Sequence, residues 1–263
     1  MAALAELWQF RRLIVTLVER ERRALYKQAV LGFAWSFVGP LSLLILLALL
    51  FNRALHVHTG GVPYPLFAYL GLLPWTFFSN SLTLANQSLL ANAPLLNKVY
   101  CPREVFPLAG VAVAGIDMAI ASLALVVLFP LTGYSPQLTL PLVPSLMLLV
   151  AVQLAFTIGL ALIVSVVVVY LRDVRHLLPI VLQLGILATP VAYGLSAIPA
   201  SFRTLYCVLN PLAPVIDGYR RTVLHGVPPR WSYLGPGAIS ASIVLVVGYA
   251  LFKRLETGLA DVA

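Results

Sequence analysis

Asn92-Ala93-Pro94-Leu95-Leu96-Asn97-Lys98-Val99-Tyr100-Cys101-Pro102-Arg103-Glu104 is a short polar break between two long apolar runs, with prolines near both ends and a helix-sized interior. A segment that only reversed the chain would need little beyond Gly, Asn and Ser. This one sets Leu95, Leu96, Val99 and Tyr100 beside Asn97, Lys98, Arg103 and Glu104. Such a mixture suits a small helix that offers an apolar knob and a basic rim to a partner at a membrane surface. Residues 91–105 therefore read as a docking segment, and the runs on either side as membrane spans.

Working outward, six apolar runs occupy about 31–52, 66–90, 106–129, 141–170, 178–197 and 233–252. Each approaches or exceeds the roughly 20 residues that cross a hydrocarbon core. The fourth is longer than needed and should tilt or project. The whole composition agrees. The 263 residues are 61% hydrophobic and 10% charged, with a mean hydropathy of +0.97, where a soluble domain carries about 25% charge. That excludes a soluble enzyme or a nucleic-acid binder, since the net charge of +8 is scattered between spans and has a topological reading. With the N-terminus inside, twelve of the 17 Lys and Arg fall on the inner side. Both termini are thus expected in the cytoplasm, although Arg203, Arg220, Arg221 and Arg230 sit on the outer side. The chain reads as one transmembrane domain over residues 1–263, with no cleavable signal expected.

Residues 3–28 read as an interfacial helix. Leu4, Leu7, Trp8, Ile14, Val15 and Val18 recur at helical spacing opposite Gln9, Arg12, Thr16, Glu19, Arg20, Arg23 and Lys27, which suits the headgroup layer. The second run ends in Asn80, Asn86 and Gln87, which need partners or water in hydrocarbon. Its Trp75, Phe77 and Phe78 form either an aromatic belt or a substrate-facing surface. In the third run Gly110, Ala114 and Ala121 make a stripe for close helix approach, with Asp117 in register. An acid at that depth is either an interhelical hydrogen-bond partner or a functional group. The loop Leu171-Arg172-Asp173-Val174-Arg175-His176 is a second docking surface or a plain topology anchor. Pro190 breaks or kinks the fifth run. Residues 198–232 are too apolar for a free loop and predict two short re-entrant helices around an Asn210-Pro211 turn. Asp217 is expected to pair with Arg220 or Arg221 at helical spacing.

The chain carries no G-x-x-x-x-G-K-[ST], no H-E-x-x-H and no G-x-S-x-G, hence no visible nucleotide-binding, zinc-protease or acyl-transfer machinery. His56, His58, His176 and His225 are not spaced as a metal set. Cys101 and Cys207 fall on opposite faces of the membrane and read as packing residues.

Several segments together resemble the membrane subunits of ABC transporters that export polysaccharides, the class that handles O-antigen, capsule and teichoic acid. They are Tyr26-Lys27-Gln28 with Leu31-Gly32, Trp35 and then Pro40, Leu73-Pro74-Trp75 with Phe78, and Asn97-Lys98-Val99-Tyr100 with Pro102-Arg103-Glu104. Arg172-Asp173-Val174-Arg175-His176, Thr189-Pro190-Val191 with Tyr193, Leu209-Asn210-Pro211-Leu212 and Glu256 through Ala260-Asp261-Val262 complete the set. Cys101 departs from that pattern, which has an aromatic or aliphatic residue there.

The resemblance implies an all-α fold of six spans, an amphipathic entry helix acting as a gate, and re-entrant helices before the last span. It implies a homodimer in a bacterial inner membrane, in contact with lipid and a glycan substrate. A separate cytoplasmic ATPase would bind ATP and Mg, with no cofactor in this chain, and would seat Leu95, Leu96, Asn97, Lys98, Val99, Tyr100, Arg103 and Glu104 as a coupling helix. Tyr26, Trp35, Trp75, Tyr193, Asn210 and Tyr219 are candidates for the gate and substrate path, and Asp117 for an intramembrane polar site. Other readings stay open from the residues alone: an ABC permease for a drug or lipid, a membrane enzyme on lipid-linked sugars, and a proton-coupled carrier using Asp117.

Overall fold

Backbone in hydrocarbon must close its hydrogen bonds within each segment, which leaves helices as the economical answer for long apolar runs. The computed structural model describes residues 10–26, 35–50, 59–92 and 101–256 (the side chains of 25 and 26 excepted), and these contain helices and no strand. In chain order they are α1 (Arg11–Tyr26), α2 (Trp35–Leu47), α3 (Tyr64–Ala91), α4 (Val105–Ser122) and α5 (Ala124–Thr132). They continue as α6 (Val143–Tyr170), α7 (Val174–Ala188), α8 (Ala200–Leu209), α9 (Leu212–Leu224) and α10 (Trp231–Leu255).

Among the described residues, three stretches are long and apolar enough to cross a membrane: Val105–Thr132, Leu140–Tyr170 and Trp231–Leu255. Trp35–Leu50 and Val174–Ala188 are shorter apolar helices. The 28 residues of α3 reach about 42 Å at 1.5 Å per residue, but its second half carries Asn80, Asn86 and Gln87. The third run is one span in two helices. At Leu123 the backbone tightens, with Leu123 N–H donating to Ile120 O and Val126 N–H to Leu123 O, both at 3.0 Å.

The fifth run ends early. α7 stops at Ala188, Thr189 turns extended with ψ 142°, and Pro190 follows. Proline cannot continue the ladder and pushes its predecessor out of the helical region, so the expected span of 178–197 is a helix of 174–188 and an unwound stretch. Beyond it, the expected pair of short helices is present as α8 and α9, parted at Asn210 and Pro211.

α3 and α6 form the centre. Their large buried side chains, among them Tyr69, Leu72, Leu149 and Phe156, meet α4 and α9 in one continuous core. The small stripe of α4 works as read: a Cβ on Gly110 would stand 3.0 Å from Leu84 Cβ, and Tyr69 donates its hydroxyl to Ala121 O at 2.7 Å. Another close crossing joins α6 to α10, where a Cβ on Gly159 would fall 2.6 Å from Val244 O. Nothing in the apolar pattern of either run singled out Gly159 or Gly248.

α1 differs from its expectation. Leu17 is buried, with Phe10, Leu13, Ile14 and Val18 packed around it, whereas Val15 is 56% exposed. That face rests on Leu89, Cys101, Val105 and Phe106. The described part of the amphipathic helix is therefore seated on protein, not floating on headgroups alone.

Candidate functional site

The polar break at 92–104 returns as a cluster at one end of the bundle. Residues 93–100, which hold Leu95, Leu96, Asn97, Lys98, Val99 and Tyr100, lie outside the described residues; both flanks are described. On the first flank, buried Asn92 donates Nδ2 to Ser88 O at 2.7 Å, closing the last turn of α3, and its Oδ1 accepts a bond from Arg20 Nη2 of α1. On the second flank, Arg103 Nη1 donates to Glu256 O. Glu104 is 1% exposed, and its carboxylate holds Lys253 Nζ of α10 at 2.9 Å. Lys253 also meets Glu256 at 3.1 Å.

The segment is thus tied by one flank to the N-terminal helix and by the other to the last one. The second loop joins the same end. Tyr170 donates its hydroxyl to Leu255 O at 2.7 Å, and Asn86 Nδ2 reaches Arg175 O at 3.5 Å. Arg172, Asp173 and Arg175 themselves are exposed. Burial pushes the Glu256 carboxyl up from its ordinary range, with the Lys253 ammonium opposing it. Burial likewise raises the Cys101 thiol, a packing environment for a cysteine and not a reactive one.

A second polar centre holds the unwound stretch after α7. Arg220 of α9 is 4% exposed and donates Nε to Phe67 O at 2.9 Å and Nη1 to Pro190 O and Tyr193 O, each at 2.9 Å. Its Nη2 is 2.5 Å from Val191 O. The expected pairing with Asp217 is absent: neither Asp217 nor Arg221 forms an ion pair among the described residues. The reason is supply and demand. Breaking a helix at Pro190 leaves carbonyls without donors, and a guanidinium brings five donors in one fork. Asn210 joins this centre by donating Nδ2 to Thr189 Oγ1 at 2.9 Å, and Tyr193 by donating to Leu187 O at 3.1 Å.

The proposed path residues therefore separate. Trp35 is 50% exposed, whereas Trp75 and Tyr219 are buried at 6% and 8%. Trp75 packs on Phe78 and blocks a Cβ at Gly185. Tyr219 donates to Gln153 Oε1 at 2.8 Å, and Gln153 Nε2 reaches Pro74 O at 3.3 Å. Both are thus largely buried within this chain, Tyr219 on the wall of a mostly apolar cavity. Tyr26 ends α1, with its side chain outside the described set. Asp117 accepts a hydrogen bond from Ser36 Oγ at 3.2 Å, an interhelical bond between α4 and α2.

Gln153 and the role of Arg220 were missed by sequence reasoning. A lone amide side chain in a 28-residue helix whose other polar residues are only hydroxyl-bearing was the available signal. For Arg220 the signal was the proline break that created its acceptors.

Residues 12–224 match the model of the ABC-2 type transporter family. The chain is 32% identical over 254 residues to the O-antigen export system permease protein RfbA of Myxococcus xanthus, covering 95% of each. It is 28% identical to a protein of the same name from Klebsiella pneumoniae, over 95% of this chain and 94% of that one. With the polysialic acid transport protein KpsM of Escherichia coli it shares 24% over 90% of its own length and 91% of the relative's.

Proposed function

This chain belongs to the ABC-2 type transporter membrane family, and from that premise we propose that it is the membrane subunit of an exporter that moves a polysaccharide or lipid-linked glycan. The names of its relatives over nearly their full length support the cargo. The chain itself is a transport component, worked by a separate ATPase that binds ATP and Mg. Two copies surround one path, each crossing a bacterial inner membrane six times with α8 and α9 entering from the outer side. Both termini face the cytoplasm.

The observation that carries the mechanism is the two-sided anchoring of the 93–100 segment: Asn92 to Arg20, and Glu104 to Lys253. A push on that segment from a closing ATPase would reach α1 and α10 together. A helix end held by hydrogen-bonded charge transmits displacement instead of absorbing it, because its alternatives are discrete. α1 would then move off the inner mouth while α10, locked to α6 at Gly159, rocks the bundle.

Surface polysaccharide in a strain deleted for this chain is the test. Export should vanish, return with the wild-type chain, and fail to return when the partner ATPase cannot hydrolyse ATP. Normal surface polysaccharide in the deletion strain would reject the cargo, and export without hydrolysis would reject the drive.

A further inference from the structure

Between α2, α3 and α4 lies a cavity of about 190 Å³ whose wall carries Asp117, Ser36, Thr76 and Asn80 beside the indole of Trp35. Three other cavities on the molecule are lined almost wholly by apolar side chains. Asp117 falls near the middle of the Val105–Thr132 span, where polar groups are costly and therefore face partners, water or a ligand.

Part of that polarity is settled internally. Ser36 donates to Asp117 at 3.2 Å, and Thr76 donates back to Leu73 O at 3.0 Å. Asn80 is exposed and makes no hydrogen bond to a described residue. Its amide offers two donors and an acceptor, so an occupant that satisfies the wall must both give and accept hydrogen bonds. It must also present an apolar face to Trp35, which is half-exposed. A sugar ring has this combination: hydroxyls that donate to a carboxylate and accept from an amide, and a C–H face that lies against an indole. The volume corresponds to roughly six waters at about 30 Å³ each, the scale of one ring and too small for a chain.

We propose that this cavity is a sugar subsite on the export path, holding one ring of the passing glycan between Asn80, Asp117 and Trp35. The proposal rests on the polysaccharide reading above. A conduit must bind weakly enough to release, and one carboxylate, one amide and one ring face make such a shallow hold.

Gly39 lines the cavity, and a Cβ there meets nothing within 4 Å, so Gly39→Cys places a thiol in it without displacing a neighbour. In a background with Cys101→Ser and Cys207→Ala, the permease–ATPase complex in lipid nanodiscs is labelled with a water-soluble maleimide. The probe is the host strain's own lipid-anchored polysaccharide, taken from cells blocked in export. Labelling should occur, and slow more than about twofold once the polysaccharide exceeds half-occupancy. Adding Asn80→Leu or Asp117→Leu should abolish that protection.

No labelling, protection that survives both leucine variants, or a Gly39→Cys crosslink between two copies would each overturn the subsite. Labelling unaffected by the polysaccharide would do the same. Surface export by the parent strain is read in parallel. If it is intact while protection is absent, only the subsite fails; if deletion of the chain leaves surface polysaccharide, the reading beneath it fails.

Discussion

The guanidinium carbon of Arg220 stands 3.6 Å from the centre of the Phe67 ring, while its Nε donates to the carbonyl of that same residue at 2.9 Å. One cation thus binds the N-terminal half of α3 from two sides and gives three further hydrogen bonds to the carbonyls of Pro190, Val191 and Tyr193. The charge is balanced by oriented carbonyl dipoles beyond the C-terminal end of α7, where helix polarity favours a cation. α3, α9 and the unwound stretch are consequently joined into one hydrogen-bonded unit.

Arg220→Lys keeps the charge and loses the fork, so several buried carbonyls go without donors. Each unsatisfied group costs about 1–3 kcal/mol. The thermal midpoint of the detergent-solubilised protein should fall clearly for Arg220→Lys and further for Arg220→Met. A lysine variant as stable as the wild type would show that the carbonyls do not depend on the guanidinium.

Gly71 gives this unit its room. A Cβ there would stand 2.7 Å from Val191 O and 2.5 Å from Arg220 Nη2, and backbone cannot step aside as a flexible side chain would. Overpacking of this kind costs about 1–3 kcal/mol, against a helix-propensity gain of about 1 kcal/mol for Gly→Ala. Gly71→Ala should therefore destabilise, while Gly235→Ala, with nothing within 4 Å, should hold or raise the midpoint. Equal midpoints for the two would remove the close contact.

Much of this fold was legible because hydrocarbon forces local bonding: apolar length alone located the helical segments around 64–91, 143–170 and 231–255. The break at Pro190 and the paired helices around Asn210-Pro211 were legible for the same reason, proline lacking a donor. What escaped depends on partners distant in sequence. Asp217 and Arg220 have the spacing of a pair, yet carbonyls from 67 and 190–193 outcompete the carboxylate. Trp75 reads as a belt or path residue until Gly185 is found beneath its ring. The polar break at 92–104 stood out by composition, but the partners of its described flanks, Arg20 and Lys253, are 72 and 149 residues away from Asn92 and Glu104.

Glu104 is nearly sealed from solvent, whereas Lys253 keeps 31% of its side-chain exposure. Removing the cation should accordingly hurt more than removing the pair. Lys253→Met leaves a buried carboxylate uncompensated, a loss on the order of 3 kcal/mol, and Glu104→Gln with Lys253→Met should recover part of it. A double-mutant cycle on the thermal midpoint, with export as second readout, measures the coupling. Additive losses would mean that the two residues do not sense each other.

The contact of Arg20 with Asn92 ties α1 by a hydrogen bond to the entrance to the 93–100 segment, and it is partly exposed. Its contribution to stability is therefore small, about 1 kcal/mol or less by analogy with exposed charged contacts. If the proposed lever works, its effect on transport is not small. Asn92→Ala or Arg20→Ala should leave insertion and thermal midpoint close to wild type while export falls severalfold. Charge reversal at Lys98 or Arg103, or Val99→Pro, should go further by uncoupling the ATPase from the permease. Copurification and stimulated hydrolysis separate the cases: the Asn92 and Arg20 variants should retain both, and the Lys98, Arg103 and Val99 variants should lose them. Full export by Asn92→Ala would show that α1 moves independently of the docking segment, and the two-sided linkage would have to be abandoned.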